Sequence, residues 1–502
     1  MLEEENKRKI GVVGTGVAGL TAAHLLSAEY EVTIFESADT LGMDSASVTY
    51  AGARMDVPLR TFSGDYYPNL TSLYEKIGVE FEQANYEFSC FRNQDEEYFS
   101  FFNFCNNPIL DHLFGLKKVS LPRFLSWNPL KMLRYFELII EFYLFQRRGP
   151  SDLENGNCEN KTFKQYVLER YSKQLYYELL LPMLSVICTC SWEAVDNYPA
   201  EILVDYLTGR ARLHPLGSST YRATSGTIAT VKKLSANCSR ILTSCTVTQV
   251  MTAKDDHRPR ISWYNKKSRK NETEEFDYVV IATQANSALN FLEGDDDQKI
   301  ALASVKYEKS RTILHTDDSM ISKNFTGTCA LQTREGVESD CTIWMNHIDA
   351  MLEKSLTENV FQTWNPLKEP KIKPIIDVIF ERPVLTLESQ EGLDLLAKVN
   401  GRGGIWFVGA YSLYSMPLLE NGVRSAIRVA NRLMTTKYPE LGVQVSGESF
   451  AKRRPDLATI KIDHKRSANA LALDSIVFSS VAIILGTASF LILPLISKGF
   501  RR

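Results

Sequence analysis

Three glycines, Gly14, Gly16 and Gly19, and a carboxylate at Glu36, 22 residues beyond the first of them, make up the chain's most chemically pointed spacing. In a G-x-G-x-x-G run the glycines divide three tasks. Gly14 permits a tight turn, Gly16 lets backbone approach a pyrophosphate, and Gly19 lets a helix pack close against a strand. A helix starting there turns unpaired N–H groups and the positive end of its dipole toward phosphate oxygens. Glu36 falls where a carboxylate accepts hydrogen bonds from an adenosine ribose. That suits a free 2′-OH, as in FAD or NAD, and repels the 2′-phosphate of NADP.

The flanking residues supply the elements these positions need. Ile10, Val12 and Val13 read as a buried strand, Leu20, Ala23 and Leu26 as the apolar face of a helix, and EVTIFE as a second strand. A loop with Gly42, a hairpin turning at Ala51-Gly52, and a helix entered through Pro68 and ended by Gly78 follow. Phe99 to Arg148 mixes aromatic and aliphatic residues with basic ones. It reads as helices of a substrate domain, with a membrane-touching amphipathic face as the alternative. Strand patterns return at SRILTSCTVTQVMTA, PRISWYNKK and FDYVVIATQ, and again between Leu302 and Pro383. GGIWFVGAYSLYSMPLLENGVRSAIRVANRLM then gives a strand, a loop and an amphipathic helix.

A chain of 502 residues is too long for one compact core, so two or more packed domains are expected. A net charge of −3 argues against a nucleic-acid binder, since no surplus of Lys and Arg exists to neutralise phosphates. The nine cysteines are scattered without C-x-x-C pairs; Cys188 and Cys190 read as buried thiols, no metal site is expected, and the compartment reads as reducing. The acidic N-terminus lacks the apolar run of a secretory signal. From Ser475 to Ile496, 22 residues carry no charge, enough to cross about 30 Å of hydrocarbon as a helix. Six Lys and Arg between 452 and 466 suit a cytoplasmic flank. The expectation is a single-pass C-terminal anchor in the mitochondrial outer membrane or endoplasmic reticulum, with the catalytic part in the cytosol.

Four blocks carry a family resemblance: GVVGTGVAGLTAAHLLS with IFE; MDVPLRTFSGDYYPNLTSLYEKIGVEFEQANYEFS; CTIWMNH with QTWNP; and WFVGAYSLYSMPLLENGVRSAIRVA. Together they resemble the flavin amine oxidase superfamily, and most of all the predicted FAD/NAD-binding oxidoreductases associated with cyclopropane fatty acid synthases. The resemblance implies an α/β chain in which a Rossmann-like FAD-binding domain is joined to a discontinuous α+β substrate domain and, from the apolar tail, a C-terminal transmembrane helix. The FAD-binding domain would take residues 1–62, 220–290 and 400–437, and the substrate domain 63–219 and 291–399. A basic linker at 438–474 and a transmembrane tail at 475–496 would follow.

Carried over by residue, Gly14, Gly16 and Gly19 would hold the FAD pyrophosphate and Glu36 its ribose, while Val247 presents backbone to the adenine. Gly409 and Ala410 would lie beside the flavin, and Asn421, Gly422 and Val423 near the ribityl and pyrophosphate region. The chain departs from the family's Gly-Gly at Gly42-Met43. Tyr411 and Tyr414 are candidate catalytic residues, walling the site as aromatic faces, with plain packing as the alternative. Arg60 is a candidate for flavin or substrate contact, and structural roles are favoured for His24 and His347. The implied activity is an FAD-dependent oxidase or desaturase moving hydride from an apolar, lipid-like substrate to flavin N5. The alternatives are a redox-neutral isomerase and a non-catalytic membrane flavoprotein.

Overall fold

The computed structural model describes residues 7–441 apart from 45, 64–65, 86, 102–128, 211–219, 253–257, 324, 326 and 335–337. Its organising feature is a parallel five-stranded sheet, in which β1 (Lys9–Val13) is flanked by β2 (Glu31–Phe35) and β14 (Tyr278–Ile281). β10 (Arg240–Leu242) extends it beyond β2 and β21 (Ile405–Phe407) beyond β14. Val12 lies opposite both Ile34 and Val280. Burial on both faces explains why β1, β2 and β14 read as apolar runs rather than alternating ones. The first helix, Val17–Leu26, joins β1 to β2 and packs against the closing helix, Leu419–Leu433, near the other end of the described chain.

Beside this sheet, β11 (Cys245–Met251), β12 (Arg260–Asn265), β13 (Lys270–Glu275) and β15 (Leu292–Glu293) form a four-stranded layer. A larger sheet runs in the order β20 (Ile376–Val384), β16 (Lys306–His315), β19 (Phe361–Trp364), β18 (Glu338–Trp344), β17 (Cys329–Arg334), β7 (Phe88–Arg92), β8 (Glu96–Phe101). Two small sheets complete the set. β3 (Val48–Tyr50) pairs with β4 (Ala53–Met55), and β9 (Thr220–Ala223) lies between β5 (Phe62–Ser63) and β6 (Phe81–Ala84).

Helix Pro129–Glu154 buries Tyr135, Leu138, Phe142 and Phe145, a three-and-four spacing that keeps one face in the core shared with Phe163 and Tyr166. Its other faces carry Arg134, Glu137, Glu141, Arg147 and Arg148. It is the longest helix among the described residues, and none of them is long and apolar enough to cross a membrane. The expected C-terminal transmembrane helix is therefore corrected: the fold is an α/β Rossmann-like one, with no helix able to span a membrane among the described residues. The anchor at the mitochondrial outer membrane or endoplasmic reticulum loses its support with it. Residues 475–496, on which that expectation fell, lie outside the described residues.

Candidate functional site

The three glycines sit in three different environments. Gly14 has φ +100°, donates its N–H to the Phe35 carbonyl at 2.9 Å, and would place a Cβ 3.1 Å from the Ala282 and Thr283 backbone. A Cβ on Gly19 would fall 2.1 Å from the Gly14 carbonyl oxygen, inside any contact distance. Gly16 differs, for a Cβ there would meet nothing within 4 Å. The turn is thus closed on the protein side and open on the side where a pyrophosphate would lie. Gly16 is also the N-cap of the first helix, which has no side-chain cap and no acid in its first turn. Its leading N–H groups face that open space without a protein acceptor from the cap, an arrangement suited to an anion.

At the end of β2, the Glu36 carboxylate accepts hydrogen bonds from the Thr15 hydroxyl, from Ala38 N at 2.9 Å and from Ser37 Oγ at 3.3 Å. Thr15 Oγ1 in turn accepts the Gly42 N–H at 2.6 Å, tying the following loop to the glycine turn. Here the departure at Gly42-Met43 finds its reason. Gly42 is the tight position, 3.1 Å from Thr15 Oγ1 at an added Cβ, while Met43 is buried in the core around the first helix. Cys245 N donates to the Glu36 carbonyl at 2.8 Å, which brings β11 to the same spot. Val247 pairs with Trp263 two residues on, at the edge of a bulge between Val247 and Gln249.

The far end of the site is built by β21 and the closing helix. Gly409 N donates to Ser425 Oγ at 3.0 Å, and Ser425 Oγ donates to the Gly422 carbonyl at 2.8 Å. A Cβ on Gly422 would lie 2.7 Å from Val17 Cγ1, so the two helices touch at their N-terminal turns. Val423 is fully buried behind this contact. The Asn421 side chain is committed to the protein: Nδ2 donates to the Met416 carbonyl at 2.6 Å and Oδ1 accepts from Arg424. It shapes the loop rather than facing a ligand.

The Tyr411 ring folds back over Gly409, within 2.6 Å of where a Cβ would stand, and Ala410 is half-buried between them. Tyr411 and Tyr414 are both buried. The Tyr411 hydroxyl has no hydrogen-bond partner, and burial, with Tyr307 nearby, pushes its pKa well up. At neutral pH it keeps its proton and is a donor without an acceptor. His347 is a packing residue: its ring stacks on Trp344 at 3.9 Å and Nδ1 meets the Gly327 carbonyl at 2.9 Å. His24 lies half-buried in the first helix, where burial lowers its pKa.

Two further residues carry no motif to mark them. Thr15 occupies the variable position of G-x-G, and Arg382 ends a two-residue alternation in β20 that starts at Ile376.

Residues 12–77 match the model of the NAD(P)-binding Rossmann-like domain family. Among solved structures, the chain is similar to a CLA-producing fatty acid isomerase from P. acnes, at 14% identity and a TM-score of 0.60, over 86% of this chain and 100% of that one. It is similar to a putrescine oxidase bound to putrescine at 12% identity and a TM-score of 0.59, over 86% and 99% of the two chains. The PF1083 protein from Pyrococcus furiosus gives 12%, 0.53, 86% and 99%. No curated protein matches the chain by sequence. These likenesses give it the fold of the FAD-dependent, amine oxidase-like enzymes.

Proposed function

We propose that the chain is an FAD-dependent oxidoreductase acting on an apolar, lipid-like substrate. The observation that carries this is the open face at Gly16 under an uncapped helix N-terminus, with Glu36 at the neighbouring strand end. Gly14, Gly16 and the first turn of Val17–Leu26 would hold the diphosphate. Glu36 has acceptor capacity left for ribose hydroxyls, and the backbone at Val247 lies close to it. Bound FAD would supply the hydride acceptor, and the protein supplies position and electrostatics. Tyr411, protonated and unpartnered, offers one hydrogen bond beside Gly409 and no base.

Purified protein should be yellow and release FAD on denaturation, read by absorbance and chromatography of the supernatant. Colourless protein that binds NADP would defeat the reading. The fold likeness to a fatty acid isomerase favours one second reading, in which hydride leaves and returns to the same substrate. Oxygen consumption with peroxide release separates an oxidase from an isomerase, which reduces its flavin without net use of oxygen.

A further inference from the structure

Along β20, Ile376, Val378, Phe380 and Arg382 point inward at a two-residue period, while Asp377 and Ile379 point out. The sheet register sets Thr312 between Val378 and Trp364, and Leu314 between Ile376 and Gln362, so these side chains share that inner face. Gln362 fixes what lies above it: its amide accepts Leu59 N–H at 2.6 Å and donates to the Asp56 carbonyl at 3.0 Å. The next residue in that fastened segment is Arg60. An apolar row therefore runs toward two guanidiniums. Arg382 to Ile376 spans about 20 Å of strand.

Neither guanidinium has a counter-ion within 4.0 Å among the described residues. Arg382 Nε is buried without a hydrogen-bond partner, and its guanidinium rests 5.0 Å from the Phe380 ring centre. Glu308, directly opposite Arg382 in the register, spends its carboxylate on Ser191 N at 2.8 Å and Ser191 Oγ at 2.9 Å. Arg60 reaches only the Pro58 carbonyl, at 3.5 Å. Burial lowers the pKa of both, and with the Arg60 charge added it brings Arg382 down to about 10. Both remain cations at pH 7. Asp56 and Asp44 act on Arg60 from farther off, but Asp56 Oδ1 is bound to Thr227 and Asp44 is paired with Arg54. Holding two like charges half-buried without a paired anion is costly, and the cost is offset if an anion completes the site.

We propose that Arg60 and Arg382 seat the carboxylate of an amphiphilic substrate whose apolar chain lies along Phe380, Val378 and Ile376. This rests on the proposed function, since that reading makes the inner face of β20 a wall of the substrate site. The diphosphate seat is elsewhere, at Gly16 and the first helix, so the arginine pair is free for a second anion.

The test is calorimetric titration of the full-length protein with sodium octanoate, 1-octanol and inorganic pyrophosphate, on the wild type and the variants R60Q, R382Q and R382K. Octanoate should bind saturably, about tenfold or more weaker in R60Q and R382Q, and recover in R382K. Octanol should bind weakly to all four, and flavin content should be equal. Octanoate binding no tighter than octanol, or unchanged in R382Q, overturns the proposal. Displacement of octanoate by pyrophosphate with flavin loss in R382Q also overturns it, by assigning the pair to the cofactor. If every protein is colourless and octanoate discrimination persists, the arginine seat stands and the flavin reading fails.

Discussion

Glycines two residues and five residues into one turn should fail in opposite ways when replaced. Gly16→Val puts its side chain into open space, so the protein should melt like the wild type and yet carry no flavin. Gly19→Val drives a side chain into the Gly14 carbonyl, so it should lower the melting temperature before any question of cofactor arises. Melting curves and flavin content, measured side by side, check both. A Gly16→Val protein that stays yellow would remove the pyrophosphate from this turn. Glu36→Ala should weaken FAD binding by about 1.5–3 kcal/mol, from equilibrium dialysis, since charge-assisted bonds to the ribose are lost. These residues were legible because their chemistry is local and falls at a fixed, recognisable spacing. Asn421 was legible only as a motif position, and its side chain turned out to be bound to Met416 and Arg424. Arg382 gave no signal at all, because one arginine at the end of a strand looks like any surface arginine until the sheet face is known.

Inside the seven-stranded sheet, two titratable side chains set the pH range in which the elements hold. His315 on β16 is fully buried. Asp317 N donates to its Nδ1 at 3.2 Å, so Nε2 carries the proton and donates to Thr363 Oγ1 at 2.8 Å. Burial lowers its pKa from 6.5 to about 4. Above pH 6.5 neither folded nor unfolded His315 binds a proton. As pH falls from 6.5 to about 4, only the unfolded chain takes one up, costing about 3 kcal/mol of stability. His315→Gln should flatten that decline, seen as a smaller drop in melting temperature between pH 7 and pH 5. Asp340 on β18 behaves oppositely: burial raises it to about 7, with Oδ1 unpartnered and Oδ2 accepting Leu367 N at 3.0 Å. Its stabilising share is present below the unfolded value and lost as pH rises through 7. Asp340→Asn should therefore raise the melting temperature at pH 8 and raise it less at pH 5, where only part of the loss between 3.8 and 7 has occurred; the reverse order would contradict the burial argument.

The same scale shows which elements periodicity exposes. The β1 strand, the first helix and β2 could be read in the sequence because apolar runs and the spaced glycines agree there, although the helix is buried on nearly every side rather than on one face. The hairpin at Ala51-Gly52 and the helix from Pro68 to Lys76 could be read from turn residues. β13, with the sequence KNETEE, could not. It is an edge strand held to β12 by backbone pairing, with almost every side chain in water, so nothing in its composition marks it.

At the scale of the whole molecule, the five-stranded sheet gathers β1, β2, β10, β14 and β21 from positions nearly 400 residues apart. A chain ending at residue 399 lacks β21 and the closing helix, leaving one sheet edge bare and Val17 without its partner at Gly422. It should show no cooperative melt and bind no flavin, and a sharp transition in circular dichroism would contradict this. Such convergence was legible through resemblance between distant blocks, not through any local pattern, because strand order is a property of contacts that no window of sequence contains.

That strand order also fixes when the cradle is finished. The glycine turn and Glu36 leave the ribosome first, but Gly409, Ser425 and Gly422 follow some 370 residues or more later, and they bring the closing helix onto Val17. Throughout that interval the opening βαβ unit is exposed with its apolar faces half-covered. A nascent chain in this state exposes apolar surface that chaperones bind, and the helix contact that closes the site cannot form until Leu419–Leu433 has been made. Cells short of riboflavin should then accumulate less of the whole protein, not merely less of its yellow form, because a ligand that binds only the closed cradle draws folding to completion.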